Sequence, residues 1–599
     1  SAASDVYKRQ VYTLIGEASM PFGGTIKKIQ TISVDRRFPG MAVTEVKYVN
    51  ESSRDLHVVK WVNHAFRVID NEDTPAFWSF QGQSTIERAD WILPVDSTFY
   101  QRNYMGMNDS DYGGGIPVTC LWRRDQGIAV GHVELSPRLV SLPVKKSKYD
   151  NYAEVAVEST EESVVAFTQD DTISTVRTFV SAYEGDCFAP LRQFSEYMQA
   201  SGLVMPESEP AAFEPMWCAW GYEREATFAE ILGTLPKVKE LGIKWATVDD
   251  GYQIAEGDWE LDTKRFPGGD RDMVDLVKKM KAYGLKVQLW WAPLAADPGT
   301  KVLKENPDFI TLSKQQTPHY ITWWDSYYLS PVDSGVVSYS RDLVDRFMKK
   351  YDFDGLKLDG QHLNSVHPDY NWKHHPECPQ YSYEQLPGFF KMIYDESRSI
   401  NPHAVIQNCP CGCCMSFYNL PYTNQTVASD PTSSWQVRLK GYVYKALVPR
   451  TAYFGDHVEL SDNGDDFASS FGIGAVLGTK FTWPKNNPKV KADYRLTPEK
   501  EVIWKKWFSL YNEKMLSTGE YVNGLYDIGY SRPEAHVIRK DGTLYYAFYA
   551  SSFDGDILVK GLEEGKKYEL YDYFNEVSLG EVEGPEARLH CKFERALLF

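Results

Sequence analysis

The 599-residue sequence lacks a long apolar run, a basic cluster and a phosphate-binding loop, and each absence excludes a class of protein. No window approaches about 18 consecutive apolar residues, so we expect no membrane partner. No basic cluster is present, and 64 Lys and Arg against 82 Asp and Glu give a net charge of −18, so a nucleic-acid partner is not expected either. No Gly-x-Gly-x-x-Gly or phosphate loop follows a predicted strand, which argues against a nucleotide-binding open sheet.

Cysteine is also scarce, with nine residues in the whole chain. An odd count over this length is not a disulfide framework. Four cysteines crowd between Cys409 and Cys414, where short loops would strain intramolecular bridges. We therefore expect reduced thiols and a cytoplasmic protein. Residues 1–10 have no initiator Met and no apolar core of a signal peptide, and we expect a cloning or assembly remnant, with a removed leader as the alternative.

Aromatic residues, in contrast, are abundant. The 17 Trp, 38 Tyr and 29 Phe make up 14% of the chain, within a hydrophobic content of 43% that is typical of globular proteins. Tryptophan and tyrosine faces stack on the C–H surfaces of sugar rings, which favours a carbohydrate ligand. Ordinary core and sheet aromatics explain the composition equally well.

Two regions of the chain alternate apolar and polar residues in short runs separated by turns. Residues 11–205 do so from Met41–Val49 to Glu154–Glu158, which predicts an N-terminal β-sandwich. Residues 519–599 return to the same alternation and predict a small C-terminal antiparallel β-domain.

Between these regions, residues 213–518 alternate short apolar runs with helical patterns. Eight runs in such a length predict a central (β/α)₈ barrel, so the fold class is multidomain α/β and β. The predicted strands are Pro215–Trp220, Lys244–Val248, Leu285–Trp290, Gly355–Asp359, Ala404–Gln407, Thr426–Ser429, Thr451–Phe454 and Lys480–Trp483.

Polar and aromatic residues gather where these strands end, which is the active-site edge of such a barrel. A single aspartate at a strand end often only caps the next helix, but so many together favour a site. The candidate residues are Asp249, Asp250, Trp290, Lys357, Asp359, Asn408, Cys409 and Asp430.

A pair of carboxylates can perform glycoside hydrolysis, one as nucleophile and one as acid/base. Lys357 and Asp359 are two residues apart on one strand and share a face, so we expect the ammonium to keep Asp359 ionised; an internal salt bridge is the alternative. Asp430 ends another strand and is the candidate acid/base. Arg438, on the following helix, either orients Asp430 or is a surface charge. The adjacent Asp249 and Asp250 suit two vicinal hydroxyls, or a metal or helix cap.

At these positions the sequence resembles glycoside hydrolase family 36 of clan D, the α-galactosidases and their relatives. The matching segments are Val248–Tyr252, Leu289–Trp290 with Pro293, Leu356–Asp359, Asn408–Cys409 and Ser429–Asp430. The order of sandwich, barrel and terminal β-domain also matches.

The resemblance implies a retaining exo-α-glycosidase that removes terminal α-galactosyl residues by double displacement and needs no cofactor. Asp359 is then the nucleophile and Asp430 the acid/base. Asp249 and Asp250 bind O4 and O6 of the sugar, and Lys357 reaches neighbouring hydroxyls. In the same comparison, Trp290 stacks on the ring and Cys409 approaches the 2-position.

Three departures surround the sugar rather than the reacting carbon. Trp291-Ala-Pro293 stands where the family has Trp-Glu-Pro, and a cysteine-rich loop replaces the Gly-rich loop after Cys409. The arginine expected before the Leu-Asp of the fourth unit is absent, and Trp323–Asp325 lies nearby. They leave α-N-acetylgalactosaminidase activity as the main alternative, followed by galactosyl transfer and by non-catalytic carbohydrate binding. The partner is then an α-galactoside or α-GalNAc-terminated glycan, with a homo-oligomer as a further possibility.

Two further clusters suggest a metal-dependent hydrolase as a third class of function. The His362–Cys378 segment is rich in histidine, but its irregular spacing is unlike a zinc site, and a polar loop at the rim is the preferred interpretation. The Cys409–Cys414 loop is too tight for four thiolates to reach one ion.

Overall fold

The structure is a computed structural model that describes residues 9–69, 75–108, 112–124, 126–160 and 164–599. The expected remnant at 1–10 lies outside them except for Arg9 and Gln10, which begin the first strand. Within the described residues, the N-terminal region forms a nine-stranded sheet, a five-stranded sheet and a two-stranded pair. The strands are Arg9–Ser19, Gly24–Asp35, Met41–Ser52, Leu56–Val58, Val62–Ile69, Phe77–Gln83, Ile92–Val95, Phe99–Gln101, Gly115–Trp122, Gly127–His132, Val140–Ser141, Val144–Lys146, Tyr152–Ser159, Val165–Phe167, Thr172–Ser174 and Thr178–Tyr183.

The two large sheets pack face to face. Alternate residues of Tyr152–Ser159 are buried, as the period-2 pattern predicts. Val155 and Val144 of one sheet share a core with Leu121 and Val130 of the other. The predicted β-sandwich is confirmed.

The central region is a closed barrel of eight parallel strands, which confirms the predicted fold class. Met216 of the first strand pairs with Gly478 of the last and closes the cylinder. We number the barrel strands β1 (Met216–Cys218), β2 (Trp245–Val248), β3 (Lys286–Trp291), β4 (Gly355–Asp359), β5 (Val405–Cys409), β6 (Gln425–Val427), β7 (Ala452–His457) and β8 (Val476–Thr479).

Helices surround the barrel, and their starts and buried faces follow from the sequence. Thr227 and Glu230 form a capping box at the start of Phe228–Glu240, and Leu386–Ile400 buries an apolar stripe. The α-helices of this region are Phe228–Glu240, Asp270–Ala282, Lys301–Glu305, Ser334–Asp345, Tyr381–Glu384, Leu386–Ile400, Ser434–Leu447, Phe467–Gly472 and Pro498–Lys514; Phe188–Ala200 precedes the barrel, and Arg346–Lys350 is a π-helix. Short strands form the hairpins Gln253–Ala255 with Asp258–Leu261 and Tyr320–Ile321 with Ser326–Tyr328, beside Ala295–Ala296.

The position of the last barrel strand was predicted wrongly. The sequence analysis placed it at Lys480–Trp483, whereas β8 is Val476–Thr479. The later segment is equally apolar, but it has already left the barrel, and the Phe481 carbonyl accepts a hydrogen bond from the Trp217 indole. Periodicity does not separate two adjacent apolar runs of this length.

The C-terminal domain is antiparallel, as expected. Glu520–Tyr521, Glu534–Lys540, Thr543–Val559 and Ala587–Leu598 form one sheet, and Lys567–Asp572 pairs with Val577–Glu583. Their apolar faces form a core of their own around Val537, Phe548 and Leu570. No helix within the described ranges is long and apolar enough to cross a bilayer.

The N-terminal sandwich reaches the carboxyl edge of the barrel. The Ser84 hydroxyl donates to the Cys414 carbonyl at 2.7 Å, and the Gln436 amide donates to the Arg88 carbonyl at 2.8 Å. Because Cys414 and Gln436 follow β5 and β6, the first domain forms part of the wall around the barrel mouth.

Candidate active site

The aspartate that ends β4 has one of its carboxylate oxygens held and the other free. The Trp290 indole N–H, at the end of the neighbouring β3, donates to Asp359 Oδ2 at 2.7 Å. Oδ1 is buried and has no hydrogen-bond partner in the described part of the chain. A carboxylate held in this way presents one oxygen to a reacting atom.

Lys357 shares the inner face of β4 with Asp359 but binds another partner. Its Nζ donates to Asp249 Oδ2 at 2.7 Å, and the Cys218 thiol lies 3.1 Å from the same oxygen. Burial raises the pKa of Asp249, but the Lys357 ammonium, together with the hydrogen bonds from the Asp250 N–H and the Cys218 thiol, brings this pKa below its ordinary value. The pair therefore stays charged in the wall of the barrel.

The expectation that Lys357 keeps Asp359 ionised is wrong. Burial raises the pKa of Asp359 to about 7; the Lys357 ammonium opposes this rise and the charge of Asp430 adds to it. The sequence placed the two side chains on one face but gave no sign that Asp249, on β2, would take the ammonium's hydrogen bond.

Asp430 follows β6, and its backbone is held in the left-handed region, with φ of 41° next to 48° at Ser429. The Asp430 N–H donates to Oδ2 of Asp456, near the end of β7, at 2.7 Å. Burial raises the pKa of Asp430, as does the charge of Asp456, while Arg88 and Lys357 lower it. The charge of Asp430 also raises the pKa of Asp359, and the Lys357 ammonium lowers the pKa of both carboxyl groups.

The cysteine loop after β5 lies beside both carboxyl groups. Burial raises the pKa of Cys409 and of Cys411, and the charges of Asp359 and Asp430 raise both further. Ser429 ties the loop to β6, because its hydroxyl accepts from Gly412 N–H at 2.8 Å and lies 3.4 Å from Cys409 Sγ. All nine cysteines are in the described ranges, and all are free thiols.

Asp250 belongs to a second network on the other side of the mouth. Arg224 donates through Nε to Asp250 Oδ2 at 2.8 Å and through Nη2 to Glu256 at 2.9 Å. The Gln253 amide donates to Asp250 Oδ1 at 2.6 Å. Burial raises the pKa of Asp250 and raises that of Glu256 to about 7, with Asp297 adding to the second shift. These contacts fix the Asp250 carboxylate beside Asp249.

Two residues that the sequence nominated do not join this group. Asn408 pairs in register with Leu358, so its side chain is on the outer face of β5, whereas Cys409 pairs with Asp359 on the inner face. Arg438 neither orients Asp430 nor is a surface charge. Its guanidinium donates to Glu534 of the C-terminal domain at 2.8 Å and to Ser469 at 2.7 Å.

Trp290 is buried in a cluster of tryptophan rings, which the sequence did not predict. Only 1% of the residue is exposed, and its ring packs against Trp259 and Trp324 with centroids 5.9 Å and 5.5 Å apart. Trp323, next to Trp324 on the Tyr320–Tyr328 hairpin, is 59% exposed. The exposed aromatic ring at this part of the rim is therefore that of Trp323, while Trp290 orients Asp359.

Arg88 is a site residue that sequence reasoning missed. It comes from the N-terminal sandwich, its guanidinium lies 5.9 Å from the centre of the Trp323 ring, and its charge acts on Asp430. A side chain at Gly412, where φ is 92°, would collide with Arg88 Cδ at 2.4 Å. No motif surrounds Arg88, and only the packing of the two domains places it here.

The structure also locates the histidine-rich segment. His374 Nδ1 lies 2.5 Å from Asp369 Oδ2, and its Nε2 lies 2.7 Å from the Asp308 carbonyl. His362 Nε2 lies 2.8 Å from the Pro293 carbonyl. Within the described residues, no three His, Cys, Asp or Glu side chains are grouped so that they could hold a metal ion. These histidines hold the rim loops together.

Comparison with known proteins agrees with this geometry. Residues 211–469 match the family model described as Melibiase. The matched part of the barrel resembles a melibiase domain. The match contains β1 to β7 and the site carboxylates Asp249, Asp250, Asp359 and Asp430, and it confirms the resemblance to glycoside hydrolase family 36.

Similarity to known proteins extends beyond the matched residues. The A type blood alpha-D-galactosamine galactosaminidase of Flavonifractor plautii is 27% identical over 580 residues, which cover 93% of this chain and 51% of that protein. Alpha-galactosidase 1 of Pediococcus pentosaceus is 25% identical over 202 residues, 31% of this chain and 26% of that protein. The chain thus spans about half the length, or less, of these relatives.

Solved structures share the fold over nearly the whole chain. The alpha-galactosidase from Lactobacillus brevis has a TM-score of 0.62 at 14% identity and covers 99% of this chain and 85% of its own. The GH36 alpha-galactosidase AgaA from Geobacillus stearothermophilus, in complex with raffinose, has a TM-score of 0.64 at 14% identity and covers 98% of this chain and 83% of its own.

Proposed function

We propose that the chain is a retaining exo-α-glycosidase that hydrolyses terminal α-galactosyl residues. The observation that carries the proposal is the free, buried oxygen of Asp359, a carboxyl group whose pKa the charge of Asp430 raises. Asp359 Oδ1 attacks the anomeric carbon while Asp430 gives its proton to the leaving oxygen. Asp430 then accepts a proton from water, which attacks the glycosyl–Asp359 ester and releases the sugar with its configuration retained.

The remaining residues bind the sugar in this proposal. Asp249 and Asp250 are adjacent and each is held by a cation, and in this proposal their carboxylates accept hydrogen bonds from sugar hydroxyls. Their fixed positions suit O4 and O6 of a galactose-type ring, because two rigid acceptors select hydroxyl geometry. Lys357 remains bound to Asp249 and donates its other protons to neighbouring hydroxyls.

A second candidate glycone carries nitrogen at C2. The cysteine loop lies beside both carboxyl groups, and the relative that spans 93% of this chain is named as a galactosamine galactosaminidase. A C2 ammonium beside Asp359 would also favour the ionised carboxylate. These observations make α-galactosamine the second candidate glycone and α-N-acetylgalactosamine the third, after α-galactose.

A panel of four aryl glycosides tests the proposal. The α-galactoside, α-galactosaminide, α-N-acetylgalactosaminide and β-L-arabinopyranoside share the axial hydroxyl and differ only at C2 or C5. We expect the highest kcat/KM for the α-galactoside, a lower value for the arabinoside, which lacks O6, and the α-anomer as the first product by NMR. Turnover of none of the four would refute the glycosidase proposal, and a preference for a 2-amino sugar would select the second candidate.

The pH dependence of kcat/KM is expected to have its acid limb near pH 7. The pKa of Asp359 is about 7, and a nucleophile must be ionised, so kcat/KM for the aryl α-galactoside should fall by up to about tenfold per pH unit below it. The profile from pH 4.5 to pH 9 measures this. An acid limb near pH 4 would mean that the Lys357 charge dominates in solution after all.

A further inference from the structure

A large cleft lies where the three domains meet, outside the group of carboxylates described above. Its volume is about 680 Å³, and each domain supplies aromatic rings: Trp78 from the sandwich, Trp435 from the barrel domain, and Tyr549 and Phe553 from the C-terminal domain. Small-molecule sites occupy roughly 300–1,000 Å³. The cleft is therefore large enough for more than one sugar unit.

The cleft opens beside the barrel mouth. Ser434 and Trp435 begin the helix that follows β6, and Ser434 is four residues after Asp430, a distance of at most roughly 14 Å along an extended chain. Asp462 and Asn463 also line the cleft and lie in the loop that follows β7. Because the loops after barrel strands all lie at the carboxyl edge, the cleft and the active site open on the same side of the molecule.

The wall of the cleft is rigid and its surface is mixed. The Arg438 guanidinium lies 4.4 Å from the centre of the Tyr549 ring and 5.9 Å from that of Trp435, and Glu534 fixes it from behind. Trp435 itself is only partly buried. Asp462, Asn463 and Arg532 are exposed at the opening and supply acceptors and donors.

We propose that this cleft is a second saccharide-binding site, which holds the inner units of an oligosaccharide whose terminal α-galactosyl unit enters the barrel. The proposal rests on the proposed function for the choice of substrate. The partly exposed Trp435 ring offers a face for the C–H surface of a sugar, and the groups at the opening bind its hydroxyls.

The charges argue for a neutral ligand. Carboxylates and guanidinium groups both line the cleft in similar number, so neither sign dominates; they are Asp462, Asp466, Asp527 and Glu534 against Arg438, Arg532 and Arg595. A strongly acidic or basic ligand would meet like charges wherever it lay. Paired donors and acceptors around an aromatic face suit hydroxyls instead.

Kinetics on two substrates tests the cleft. For Trp435→Ala, the ratio of KM for an α-galactosyl-terminated tetrasaccharide to KM for the aryl α-galactoside should rise about five- to tenfold, with kcat for the tetrasaccharide unchanged. Asp462 is exposed, and Asp462→Ala should raise the ratio about two- to threefold. It tests the cleft even if Trp435→Ala does not fold. Tyr571→Ala removes an exposed aromatic of the C-terminal domain outside the cleft and should leave the ratio unchanged.

Binding of the tetrasaccharide's inner part separates this proposal from the proposed function. An oligosaccharide that lacks the galactosyl unit, titrated into the Asp359→Asn protein by NMR, should bind, and Trp435→Ala added to that protein should abolish binding. No binding, or an unchanged KM ratio in both variants of an active enzyme, would overturn the cleft proposal. If the unsubstituted protein hydrolyses no α-galactoside but still binds this probe through Trp435, only the proposed glycosidase function is overturned.

Discussion

Replacing Asp359 by asparagine is expected to leave the chain folded and to lower kcat/KM for an aryl α-galactoside by roughly 10³-fold or more. Asparagine has nearly the same shape, and its amide oxygen still accepts the Trp290 indole N–H that now binds Oδ2 at 2.7 Å. It has no charged oxygen with which to form a glycosyl ester. Initial rates with purified protein measure the loss.

The same substitution is expected to stabilise the protein at neutral and alkaline pH. Below about pH 4 the Asp359 carboxyl is protonated in both the folded and the unfolded chain, so it does not change the free energy of unfolding. Between about pH 4 and about pH 7 the unfolded chain loses this proton and the folded chain keeps it, because burial raises the pKa of Asp359 to about 7. The free energy of unfolding of the parent therefore falls with rising pH over this interval.

Asparagine has no proton to lose, so the advantage of Asp359→Asn should be near zero at pH 4.5 and reach about 2–4 kcal/mol by pH 8. Thermal unfolding at the two pH values measures the difference. Asp354→Asn is a matched control at the opposite end of β4, where the carboxylate accepts the Val287 N–H at 2.9 Å, and it should keep turnover. Near-normal activity of Asp359→Asn would refute the nucleophile.

The sequence predicted which side chains stand at the end of each barrel strand and which of them share a face of that strand. Each barrel strand is a short apolar run that ends in a polar residue, and the parallel order of a closed barrel brings those ends to one edge. The amino-acid pattern alone therefore predicts that Asp249, Asp359 and Asp430 meet at that edge. The two-residue spacing of Lys357 and Asp359 likewise predicted their shared face.

Contacts between strands and between domains could not be predicted in this way. Whether Lys357 binds Asp359 or Asp249 depends on the stagger of β2 against β4, which leaves no pattern in either segment. Arg88 reaches the mouth only because the sandwich packs on the loops after β5 and β6. Arg438 finds Glu534 in another domain for the same reason.

Asp430→Asn is expected to have an effect that depends on the leaving group. For an α-galactosyl oligosaccharide, whose leaving alcohol needs a proton, kcat/KM should fall about 10²–10⁴-fold, whereas a dinitrophenyl α-galactoside should lose far less. Asparagine is the right replacement here because φ is 41° at this position, and Asn and Asp tolerate the left-handed region better than other residues with a side chain. Initial rates on the two substrates give the comparison.

The neighbouring carboxylate supplies the control for this acid role. Asp456 accepts the Asp430 N–H at 2.7 Å, and burial together with the charge of Asp456 raises the pKa of Asp430. Asp456→Asn keeps an acceptor for that N–H but removes the charge, so the pKa of Asp430 should fall and the alkaline limb of kcat/KM should move to lower pH. Equal losses on both substrates in Asp430→Asn, with no movement of the alkaline limb in Asp456→Asn, would remove Asp430 from proton transfer. An acid that must stay protonated near neutral pH is better served by a nearby negative charge than by the cation that usually accompanies a buried carboxylate, and the position of Asp456 fits that requirement.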